Sequence, residues 1–151
     1  MRRGFTLIEL LMMLAVVGLC TALVFASVAG VGERGRLEQT LRRIGDTYTA
    51  ARSGAICTSR PMRVRYDLRQ GEMTVLEPGD GLPAAVVRMP DGVRMVAVEP
   101  AEGEGGATIG IAATGLGRSH TVTLETADGF SGSVVINGLT GRTEVTMREA
   151  K

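Results

Sequence analysis

The sequence predicts an α+β chain: a long N-terminal helix, transmembrane at first and then amphipathic, packed on a C-terminal antiparallel β-sheet domain. Three observations predict it. An apolar run from Leu10 to Ala26 is broken only by Gly18 and Thr21. Leu37, Leu41, Ile44 and Tyr48 then fall at steps of four, three and four, the spacing of one helical face. After Pro61 the period becomes two: Met62, Val64, Tyr66 and Leu68 alternate with Arg63, Arg65, Asp67 and Arg69.

Phe5 to Ala26 is 22 residues, about 33 Å as a helix, against a hydrocarbon core of about 30 Å. Arg2 and Arg3 before the run and a large domain after it place the N-terminus in the cytoplasm. An ordinary secretory signal peptide is the competing reading, with Ser27-Val28-Ala29 before Gly30 as a small-x-small cut site. The run is longer than the apolar core of a signal peptide, and it carries Glu9 near its start. A carboxylate in a membrane helix is costly and marks a function.

From Glu33 to about Ser53 the apolar stripe is flanked by Arg34, Arg36, Arg42, Arg43 and Asp46, so the apolar helix passes into an amphipathic one. Gly30, Gly32 and Gly35 at the junction should weaken the helix locally, each by up to about 1 kcal/mol. Beyond Met62–Leu68 the strand candidates are Met73–Leu76, Ala84–Met89, Val93–Val98, Thr108–Ala113, Thr121–Thr126, Ser133–Asn137 and Thr143–Met147. Gln70-Gly71 and Pro90-Asp91-Gly92 are turn signals, and the acidic, glycine-rich Glu99–Gly106 reads as a surface loop. The organisation is therefore a short basic leader at 1–4, a membrane helix at 5–29, an amphipathic helix and linker at 30–60, and a β-rich domain at 61–151.

Composition excludes several functions. Aromatic residues make up 3% of 151 and Trp is absent, whereas ligand clefts and base-stacking platforms draw on aromatic surface. The single histidine, His120, reads as a polar residue at a strand end; no Ser or Cys has a base partner, and no cluster has metal-ligand spacing. Catalytic, cofactor-binding and metal-binding residues are therefore not expected. Gly30-Val31-Gly32-Glu33-Arg34-Gly35 fits G-x-G-x-x-G, but a dinucleotide fingerprint needs a strand before it. Cys20 and Cys57, if joined by one helix, stand roughly 55 Å apart and cannot pair. Charge is two-ended: nine arginines against three acids from Arg34 to Arg69, then six basic against eleven acidic residues from Gln70 to Lys151.

Gly4-Phe5-Thr6-Leu7-Ile8-Glu9 resembles the processing motif of type IV pilins and type II secretion pseudopilins. The resemblance implies cleavage by a prepilin peptidase after Gly4, N-methylation of Phe5, and an assembly role for Glu9. Cleavage would create a cationic amine at Phe5, and a neighbouring subunit's amine would neutralise Glu9 within a fibre core of packed apolar helices.

Ala51-Arg52-Ser53-Gly54-Ala55-Ile56, Arg60-Pro61-Met62-Arg63-Val64 and the terminal Val134–Arg142 resemble H-type pseudopilins, the GspH/FimT-like group. What this implies is a non-enzymatic minor pseudopilin near the tip of a periplasmic pseudopilus. It would be single-pass in the inner membrane, with the C-terminal domain periplasmic. Its partners would be other major and minor pseudopilins, the peptidase and an inner-membrane assembly platform. The alternative it implies is a FimT-like minor pilin, in pilus biogenesis or DNA uptake. There Gly141-Arg142 is followed by Thr143-Glu144 and the C-terminal part is net acidic, which argues against nucleic acid.

Overall fold

The computed structural model of the chain describes residues 7–79, 82–100 and 106–148, apart from the side chains of 7, 9, 10 and 20–31. Helix α1 covers Leu7–Thr58. The chain divides into two units, residues 1–35 and 36–151.

The second unit is built on one stripe of α1. Leu37, Leu41, Ile44, Tyr48, Ala51 and Ala55 are all buried, at steps of three and four that hold one face toward the core. The opposite faces carry exposed Arg34, Arg42, Arg43 and Asp46, and Arg42 bridges to Glu38 one turn back at 2.7 Å. The helix does not stop near Ser53: the stripe continues through Ala55, and the end comes at Thr58. There Ser59 takes φ 53°, its N–H donates to Ile56 O, and Arg60 N–H donates to Ala55 O. This is a Schellman closure, with Pro61 placed to prevent continuation. The helix also runs through Gly30, Gly32 and Gly35 without a break, so their cost does not interrupt it.

Eight strands follow: β1 (Met62–Asp67), β2 (Glu72–Leu76), β3 (Pro83–Arg88), β4 (Val93–Glu99), β5 (Gly106–Ile111), β6 (His120–Thr126), β7 (Ser131–Ile136) and β8 (Thr143–Arg148). Each overlaps a segment expected as a strand. They form two four-stranded sheets, β3-β2-β1-β5 and β4-β6-β7-β8, every pairing antiparallel. The cause is that β5 returns to β1, pairing Met62 with Ile111, instead of pairing with β4. The buried faces of both sheets join the α1 stripe in one cluster that includes Val64, Met73, Val75, Ile109, Val122, Leu124, Val134 and Ile136.

Candidate assembly interface

In the first unit, Ile8, Leu11, Met12, Met13, Leu14, Val16, Val17 and Leu19 are each more than half exposed. Four of these positions, Leu11 to Leu14, are consecutive, so the exposure covers every side of the helix and not one stripe. A helix apolar all round requires an apolar environment, either lipid or other helices. Glu9, for which an assembly role is expected, lies on α1, two residues from its start, but its side chain lies outside the described residues, as do Gly4 and Phe5 altogether. Among the described residues no helix is long and apolar enough to cross a membrane; most side chains of the expected span fall outside them.

In the second unit the loops are clasped to the end of α1 by one residue that sequence reasoning did not single out. Arg52 Nε donates to Gly115 O at 2.8 Å, and its Nη2 donates to Leu139 O at 3.2 Å. One guanidinium thereby joins helix, the β5–β6 loop and the β7–β8 turn, with the fixed fork geometry that suits two carbonyls. Ile56, Leu116 and Leu139, carried on these three segments, are about half or more exposed. The β7–β8 turn is an Asx turn: Asn137 Oδ1 accepts from Leu139 N–H and Thr140 N–H, and Gly141 N–H closes onto Asn137 O. Gly141 has φ 75° and needs its glycine for that; Gly138 does not take positive φ. Gly138 is required for another reason, since a Cβ there would collide with the Gly117 carbonyl.

His120 stands at a strand end, as the sequence reading has it, and its burial is the new finding. It is 3% exposed and bridges the two sheets. Its Nδ1–H donates to Arg118 O at 2.9 Å, which leaves Nε2 to accept the Tyr66 hydroxyl at 2.9 Å. The Tyr48 ring stands edge-on to the imidazole, with centroids 5.3 Å apart. Burial disfavours the cation and pushes the imidazole below its ordinary value, partly opposed by the Arg118 carbonyl. Burial likewise raises both tyrosine hydroxyls. Among the described residues the polar contacts of the imidazole are the Tyr66 hydroxyl and the Arg118 carbonyl.

The titration sign follows. With the folded value depressed, the unfolded chain binds the proton more readily, so stability is full above about pH 6.5 and is lost as pH falls below it. Urea melts at pH 7.5 and 5.5 should show this loss, and His120→Gln should remove most of it. A variant with the same pH slope would show that another group is responsible.

Among the described residues no group of three His, Cys, Asp or Glu side chains is placed to hold a metal. Cys57 is free and exposed. The G-x-G-x-x-G segment lies wholly inside α1, so no strand leads into it.

No family model and no curated protein matches the chain. Solved structures do. The minor pseudopilin EpsH of the type 2 secretion system of Vibrio cholerae is similar with a TM-score of 0.58 and 12% identity over 74% of this chain and 97% of that one. The type IV minor pilin FimU of Pseudomonas aeruginosa is similar with a TM-score of 0.56 and 15% identity over 78% of this chain and 96% of that one. At such identities the likeness is one of fold: a helix packed on antiparallel sheets, as in minor pseudopilins and minor pilins.

Proposed function

We propose that the chain is a non-enzymatic minor pseudopilin of a type II secretion system, a subunit near the tip of a periplasmic pseudopilus that supports fibre assembly and protein export. The observation that carries this reading is the exposed, all-round apolar start of α1 on a pilin-like fold. The segment 5–29 is stored in the inner membrane with the N-terminus cytoplasmic, then passes into a fibre of packed helices with other pseudopilins. Cleavage after Gly4 by a prepilin peptidase, methylation of Phe5 and extraction by an assembly platform precede that step. The second reading, a minor pilin of a type IV pilus, has support of the same kind from the similarity to FimU.

Two measurements test these readings. Intact mass from a host carrying the peptidase should give a chain beginning at N-methylated Phe5; a chain beginning at Gly30 would refute the pilin reading. Pull-down from native membranes should recover secretion pseudopilins. Recovery of pilus subunits instead would transfer the chain to the second reading.

A further inference from the structure

Three arginines from two elements of the second unit line one recess of about 260 Å³. Arg36 and Arg43 come from α1 and Arg88 from the end of β3, with Gln39, Thr40 and Pro90 completing the wall. Arg36 and Arg43 are seven residues apart, close to two full turns, so they share a helix face. Neither makes an ion pair among the described residues, whereas Arg42 between them is held by Glu38 at 2.7 Å. Arg88 Nε donates to Glu72 at 3.1 Å, which leaves its terminal nitrogens unassigned. The Thr40 hydroxyl is committed to Arg36 O at 2.7 Å. The recess thus gathers three guanidiniums against one carboxylate. Such an array repels itself when empty and suits a group with several anionic oxygens, which guanidinium forks bind in pairs.

We propose that this recess binds the phosphate of an anionic phospholipid headgroup, and so moors the second unit to the membrane while the subunit waits to be assembled. The inference rests on the reading of 5–29 as a membrane segment. Position along the helix selects the lipid. The uncharged stretch ends at Gly32, followed by Glu33 and Arg34, so Arg36 comes four residues after it in the sequence. Basic residues just outside a membrane segment are attracted by anionic headgroups.

The test uses the full chain in non-ionic micelles, labelled with nitrogen-15 at arginine, with the Nε–Hε signals assigned by single variants. Titration with dihexanoyl phosphatidylglycerol should shift Arg36, Arg43 and Arg88 saturably and leave Arg42 in place. In Arg36→Gln/Arg43→Gln, with the fold verified by circular dichroism, the apparent affinity should fall roughly tenfold or more. Arg42→Gln should bind as the native chain does. Dihexanoyl phosphatidylcholine and inorganic phosphate at the same concentrations should not saturate the three signals. Saturation by either, equal shifts across all arginines, or native affinity in the double variant would each overturn the proposal. None of those results would touch the membrane reading, because the chain would still enter the micelle and processing at Gly4 is measured separately.

Discussion

Leu41→Ala, measured on a chain lacking residues 1–32, is expected to lower the unfolding free energy by roughly 2–5 kcal/mol. Leu41 has no exposure and belongs to the buried cluster. Its size is matched to a glycine on the facing strand: a Cβ at Gly132 of β7 would lie 2.7 Å from Leu41 Cδ1 and 2.9 Å from Met147 Sδ. Truncating the leucine therefore opens a cavity over bare backbone, bordered by the Met147 side chain. Gly132→Ala alone should also destabilise, by overpacking worth roughly 1–3 kcal/mol. The two changes address the same space, so the double variant should lose less than the two losses added, by about 0.5–3 kcal/mol of coupling. Urea unfolding of the four chains closes the cycle. Strict additivity would mean that helix and sheet do not meet at this point, and an unfolded truncated domain would mean that the buried cluster is not self-sufficient.

That cycle depends on contacts that lie in different parts of the chain, and this is where the sequence ceased to be readable. The stripe Leu37–Leu41–Ile44–Tyr48 was legible because a helix face is a local repeat, and all four residues are fully buried. Strand β1 was legible for the same reason: the alternation Met62–Val64–Tyr66 marks one buried face. Pairing was not legible. Val64 lies between Val75 and Ile109, and nothing in the pattern of β1 states that its second neighbour is 45 residues on. The division into two sheets is therefore not written in the strand patterns themselves. The burial of His120 was not legible, because one polar residue at a strand start looks the same whether solvent or Tyr66 faces it. Arg52 was read as part of a charge run, since its acceptors are carbonyls, which have no residue type to betray them. With the interface the position is reversed. Gly4, Phe5 and Glu9 are a motif local in the sequence, while the chemistry proposed for it involves a peptidase and a second subunit, and Gly4, Phe5 and the Glu9 side chain lie outside the described residues.

Glu9→Ala is expected to leave membrane insertion and cleavage at Gly4 intact and to abolish or severely reduce entry into the fibre, and with it secretion. Insertion should survive or improve, because the substitution removes a carboxylate that is costly in hydrocarbon. Cleavage should survive because Glu9 is not the scissile residue. Loss should appear at assembly, where the amine of a mature Phe5 on one subunit needs an anion on the next. An unpaired ammonium among packed apolar helices is expensive, and removal of one member of a buried ion pair costs about 3–5 kcal/mol. Glu9→Gln keeps the shape and hydrogen bonding without charge, so it should restore function only in part. Glu9→Asp keeps the charge but withdraws it by one methylene, so it should fall between Gln and the native residue. Complementation of a deletion strain, with cleavage scored on the same samples, ranks the three variants. The order native, Asp, Gln, Ala identifies charge and reach as the working properties. Full activity of a cleaved, stable Ala variant would instead assign incorporation to lateral contacts of the second unit. Ile56, Leu116 and Leu139, exposed on the segments that Arg52 holds together, would then be the first residues to change.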